Sequence, residues 1–437
     1  VRQRLMNIYE TLVFPNKDLQ IKPALSYSWG LIDDYTWEFK LRPNVTFHDG
    51  TEFTSEDVIE SFNHAKNFEH SGLKETLDII EKIEPIDDYT IHITTHDPDP
   101  LLLQRLSRLF IHPAEMVSFS KPIGTGPYQF LRWEDSGKFI AINYLNHWAG
   151  EPLYDTVEIY SFEDPFERVR LFVDGNADFL SHVPYDAVDY FEGAKHNLIS
   201  VPSLEVQFLF FNLDSEIFSD IKAREMFSLA MDQQVLIDRL GKFVRPVNQF
   251  VSNGVFGFSP TVDEHVYDKE AAKKISKDLG LDKQIINFHL LDGLNILGDY
   301  VQDQLKDVGV SVKVTYMNND NLQESIENGD ADLYFMVYRA DTGDAAEFFE
   351  NVVHSDGPSN IGNYSSNELE DLLDLIDNEM DEEKRLFQLH EAMEIIVDKD
   401  IIGIPLFENE TVYSFISSLE VQPRLDGLII FNDIKQN

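Results

Sequence analysis

Three residues stand out for the chemistry their types allow: Asp341, Asp344 and Tyr338. They lie in the stretch 333–349, LYFMVYRADTGDAAEFF. Six apolar residues in a row, with Gly329 behind and Gly343 ahead, predict a strand buried on both faces. That strand runs straight into an acidic loop. In an open α/β sheet, ligands gather at the carboxyl ends of buried strands. A carboxylate delivered there suits the role of anchor for a cationic group, with an aromatic ring beside it. For a single aspartate in so acidic a chain, a solvated loop is the plainer reading.

Other residues invite chemistry and are set aside. His48 falls in a His-Asp-Gly turn, where a histidine is usually solvated. Arg105 and Arg108 lie within a short apolar helix over 101–110 and could face a cleft, but surface arginines lying along a helix are the commoner case. The segment Gly124-Thr125-Gly126-Pro127-Tyr128 suggests a dinucleotide loop, but Gln129 replaces the third glycine and a strand pattern follows. Phosphate cradling needs a helix N-terminus there, so the dinucleotide reading is rejected. No Cys, no G-x-S-x-G and no H-E-x-x-H occurs. Thiol chemistry and Cys-ligated zinc are excluded, and no catalytic residue, metal site or cofactor is assigned.

The 437 residues suggest two or three domains, and 43% apolar content is enough for ordinary cores. With 35 basic and 78 acidic residues the net charge is −43, which disfavours nucleic acid and anionic lipid as partners. No apolar run reaches the ~18 residues of a membrane span.

The elements that must position the loop are readable. Residues 36–53 alternate as strands and a turn, and Thr54 stands as the cap of a helix with Asp57 at its third position. The order strand, helix, strand over 157–180 predicts a parallel unit with a right-handed crossover. Beyond Val201-Pro202 the text changes, and a domain boundary is placed near residue 202. Strands at 285–291, 310–316 and 333–338 alternate with helical patterns, the order of a doubly wound lobe.

Several of these segments, taken in order, resemble the extracellular solute-binding proteins of family 5, the dipeptide, oligopeptide and nickel-chelate receptors of ABC importers. The resemblance rests on Pro23-Ala24-Leu25, Trp29, Phe39-Lys40-Leu41-Arg42-Pro43, Phe47-His48-Asp49-Gly50, and Thr54 with Asp57-Val58. Gly124-Thr125-Gly126-Pro127-Tyr128, Arg224 with Asp232, and Ile404-Pro405-Leu406-Phe407 extend it over nearly the whole chain. It implies an α/β, two-lobed periplasmic-binding-protein-like clamshell (type II, cluster C) with an accessory subdomain. The first lobe is expected from residues 1–201 plus 405–437, with 17–122 as the subdomain, and the second from 202–404. It further implies a monomer outside the cytoplasm that captures di- or oligopeptides and presents them to an ABC permease. The opening Val1-Arg2-Gln3-Arg4 has no leader, so the true start is expected to be missing.

In dipeptide receptors of the family a W-x-x-D-x-x-D-P-x-x-F-F passage holds the peptide ammonium, and residues 338–349 lie in register with it. By resemblance Asp341 is the amine anchor, Tyr338 an aromatic wall, and Asp344 a further ligand-binding residue. Two departures widen the ligand range: Ala345 replaces the proline, and Leu294, Asn295 and Ile296 stand where an arginine would take the peptide carboxylate. A receptor for a nickel chelate or another non-peptide solute, the sensor module of a regulator, and a hydrolase are the competing readings. His354 lies about three residues before the place of the nickel receptors' ligating histidine and reads as a surface residue.

Overall fold

The computed structural model describes residues 2–68, 73–116, 120–134, 137–191 and 196–436. The chain divides into two compact units. The first comprises Val1–Val201, Asn378–Met380 and Thr411–Asn437, and the second Pro202–Asp377 with Asp381–Glu410. Two long strands, His196–Phe211 and Gly403–Ile416, begin in one unit and end in the other.

In the first unit an antiparallel sheet runs in the order Ser26–Leu31, Thr36–Leu41, Thr90–Thr95, Ile80–Asp87. The period-two pattern predicted there places Phe39 and Leu41 in a core with Phe47, Phe53 and Val58. Helix Ser55–Asn67 begins as expected at Thr54, whose backbone N–H donates to Asp57 Oδ2 at 2.7 Å. His48 is not a solvated turn residue. Its Nδ1 accepts from Gly124 N at 3.3 Å and its Nε2 donates to Gly126 O at 2.9 Å, which fixes the neutral tautomer. Burial pushes its pKa down to about 4, against the opposing pull of the Gly126 carbonyl. Arg105 also differs from expectation, donating to the buried Asp99 at 3.0 Å.

The glycines of the G-T-G-P-Y segment have a packing reason. A Cβ on Gly124 would lie 2.1 Å from the Ile8 carbonyl oxygen, and one on Gly126 2.7 Å from it. Only a residue without a side chain lets these two backbones touch. The parallel unit expected over 157–180 does not form. Strand Thr156–Ile159 pairs antiparallel with Phe139–Asn143, whereas Phe179–Leu180 pairs with Phe415 and Ser414 in another sheet. Helix Pro165–Val173 thus connects two sheets rather than crossing over one.

In the second unit three parallel strands stand in the order Ser311–Met317, Ile285–Leu291, Leu333–Arg339. Helices Asn295–Asp307 and Asn319–Asn328 connect them, as the periodicities predict. The first strand in sequence is central, the second lies to one side and the third to the other, so the winding reverses beside Ile285–Leu291. Ligands of open α/β sheets bind at such a reversal, outside the carboxyl ends of the flanking strands. Here those ends are Leu291 and Arg339. Phe288, Leu290, Tyr300, Val301 and Leu333 form part of the core beneath them.

Candidate functional site

The strand Leu333–Arg339 is apolar throughout its first six residues, yet only its start is enclosed. Leu333 and Tyr334 are buried and pair with Phe288 and His289 on one side. On the other side the whole strand pairs antiparallel with 205–211, from Phe211↔Leu333 to Glu205↔Arg339. Beyond Tyr334 no ladder continues on the Ile285–Leu291 side, and Val337 is 51% exposed. The expectation of burial on both faces is therefore corrected: the strand outruns its neighbour and carries its end clear of the sheet.

The loop after it is held at several points. Gly343, at φ +74°, takes the left-handed turn. Phe256 N donates to Gly343 O at 2.8 Å and Ala345 N donates to Phe256 O at 2.8 Å, gripping the loop by its backbone. Glu347 Oε2 accepts from Thr342 N at 2.9 Å and Thr342 Oγ1 at 2.8 Å.

Asp344 is wholly buried. Arg385 donates to both its oxygens, Nη1 at 2.7 Å and Nη2 at 2.9 Å, and Ala346 N donates to Oδ1 at 3.0 Å. Arg385 is itself 4% exposed, with its guanidinium 5.6 Å from the Phe256 ring centroid. This bidentate ion pair engages both carboxylate oxygens inside the unit.

Asp341, three residues earlier, contrasts with it. Its side chain is 50% exposed, and the partner shown is Arg339, whose Nε donates to Oδ1 at 2.9 Å. Exposed pairs of this kind contribute about 0–1 kcal/mol, so exchanging Arg339 for a ligand ammonium costs little. The same exchange at Asp344 would break a buried pair at a cost of about 3–5 kcal/mol.

The Tyr338 hydroxyl donates to Glu347 O at 2.8 Å, and its ring meets Phe348 edge-on at 5.1 Å between centroids. Burial, with the Glu347 charge adding to it, raises its pKa far above the usual phenol range. The hydroxyl therefore stays a donor at neutral pH. At the other flank of the reversal, Leu294, Asn295 and Ile296 open helix Asn295–Asp307 with no basic residue, as read from the sequence.

Sequence reasoning missed Arg385, Glu347 and Arg339. For Arg385 a signal existed: it lies on a helix that buries Leu389 and Met393, one and two turns on, a position a surface arginine would avoid.

Residues 20–360 match the profile of the "Bacterial extracellular solute-binding proteins, family 5 Middle". The chain belongs to family 5 of the bacterial extracellular solute-binding proteins. The Glutathione-binding protein GsiB of Pectobacterium atrosepticum is similar to this chain, 26% identical over 361 residues, covering 78% of this chain and 70% of its own. Solved structures agree in fold. HbpA2 from Haemophilus parasuis matches with a TM-score of 0.89 at 18% identity, covering 99% of this chain and 94% of the other. The ABC transporter-associated periplasmic binding protein DppA from Helicobacter pylori, in complex with the peptide STSA, matches at 0.77 with 22% identity, covering 100% and 93%. The family-5 fold, α/β and periplasmic-binding-protein-like, is thus that of this chain, and His354, on the helix end after Phe349–Val353, is bound through Nδ1 to Asp356 N at 3.1 Å.

Proposed function

We propose that this chain is the solute-capturing subunit of an ABC importer and that its solute is a peptide held by its amino end. The observation that carries the reading is the contrast within one loop. Asp344 is locked to Arg385, whereas Asp341 stands half exposed at the reversal of the sheet with only a weak pairing. A carboxylate so placed meets an ammonium with charge-assisted hydrogen bonds of about 1.5–3 kcal/mol each. Tyr338 stands beside it as the aromatic wall. Asp344 makes no ligand contact in this reading and instead keeps the loop in shape. The names of the relatives support the ligand class: one binds glutathione, and another holds a short peptide.

In this reading the protein performs no reaction of its own and works as a monomer outside the cytoplasm. Its net charge of −43 keeps nucleic acid away. The absence of a basic residue at 294–296 leaves the peptide's carboxyl end loosely specified, which suits a receptor that tolerates several lengths. Calorimetry with Ala-Ala, Ala-Ala-Ala and a nickel–histidine chelate tests this. Binding of at least one peptide, recovered intact, is expected. Binding of the chelate with no peptide bound, or a peptide recovered as fragments, would overturn it.

A further inference from the structure

A row of alternating charge crosses the two strands that carry the loop. In their antiparallel ladder Glu205 lies opposite Arg339, and Gln207 opposite Val337. Side chains on a strand alternate between faces, so these four share one face of the sheet. Arg339 joins two carboxylates along it. Its Nε donates to Asp341 at 2.9 Å, and its Nη1 lies 3.8 Å from Glu205 Oε1 while donating to Ser203 O at 2.7 Å. All three charged side chains remain between 31% and 50% exposed, and Val337 beside them is 51% exposed. Within the same row Gln207 is 5% exposed, and its buried Nε2 has no acceptor among the described residues. A peptide carbonyl is the kind of group that would supply one.

We propose that the row Glu205–Arg339–Asp341 selects peptides whose first residue carries a second positive charge, that is, Lys or Arg. This rests on the peptide reading above. The row holds two negative charges and one positive, a net −1. A zwitterionic peptide brings no net charge and leaves that −1 uncompensated. A peptide beginning with lysine brings +1, with its ammonium at Asp341 and its side chain reaching toward Glu205. Arg339 acts as a positioning residue that holds the two carboxylates on either side of itself until a ligand ammonium takes its place at Asp341.

The test is calorimetry with Lys-Ala, Ala-Ala and Glu-Ala on the intact wild-type chain and on Glu205→Gln. Lys-Ala is expected to bind about tenfold tighter than Ala-Ala, and Glu-Ala about tenfold weaker, with both gaps narrowing as salt rises. Glu205→Gln should erase the Lys-Ala advantage and leave Ala-Ala within about twofold. Equal affinities for Lys-Ala and Ala-Ala in the wild type would overturn the selection and leave the peptide reading standing. An advantage that survives Glu205→Gln would do the same. If none of these peptides nor any longer one binds, the peptide reading falls, and this inference with it.

Discussion

Replacing Arg385 with methionine removes the partner of Asp344 and keeps much of the bulk. In the wild type both oxygens of that carboxylate accept from the guanidinium, at 2.7 and 2.9 Å, in a buried site. The variant strands the Asp344 carboxyl group in the interior with the Ala346 N–H, at 3.0 Å, as the remaining donor to its side chain among the described residues. Breaking a buried pair from one side costs about 3–5 kcal/mol. With a urea slope of roughly 2 kcal/mol/M, the midpoint of the second unit should fall by about 2 M. Circular dichroism is the right probe, because Trp29, Trp37, Trp133 and Trp148 all belong to the first unit and their fluorescence would miss the event. The double variant Asp344→Asn/Arg385→Met removes both charges and should regain about 1 kcal/mol or more. A midpoint shift under about 0.5 M in Arg385→Met would refute the reasoning, since it would mean that Asp344 is solvated or finds another partner.

Two further variants test the packing of the first unit. In His48 the folded-state pKa lies below the ordinary value of 6.5, at about 4, so its contribution is complete above about pH 6.5 and is lost as pH falls toward 4. Wild type should lose about 3 kcal/mol more than His48→Gln between pH 7 and pH 4 in parallel urea titrations; equal losses would contradict the buried neutral ring. Gly124→Ala puts a methyl group into the Ile8 carbonyl and should cost about 2–4 kcal/mol in the same assay, whereas Gly137→Ala, on an open turn, should cost about 1 kcal/mol.

Much of this architecture was legible from residue order alone. Glycine stops and apolar periods fixed the three parallel strands and their connecting helices, because each such element carries its own local signal. The six apolar residues from Leu333 to Tyr338 named a strand, but an apolar run cannot say how far its neighbour extends, so the exposure of Val337 was hidden. The misread unit at 157–180 has a similar cause. Strand–helix–strand order does not say which sheet the second strand joins, and Phe179–Leu180 finds its partner in Ser414 and Phe415, more than two hundred residues away. Asp341 and Asp344 are the same residue type three positions apart. Which of them is spent in the interior depends on Arg385, 41 residues further along the chain. The environment of His48 is hidden from the sequence because its hydrogen-bond partners, Gly124 and Gly126, come together with it only through the fold. Local text gives elements; the role of a polar residue is decided by whatever the chain brings beside it.

The central claim is that one half-exposed carboxylate grips the positive end of a peptide. Titration of Ala-Ala, or of whichever peptide in the panel binds tightest, into wild type and Asp341→Asn by calorimetry addresses it directly. The account predicts an affinity loss of roughly 10- to 100-fold, equivalent to about 1.5–3 kcal/mol, with thermal stability unchanged to within about 2 °C. Equal affinity in the two proteins would contradict it.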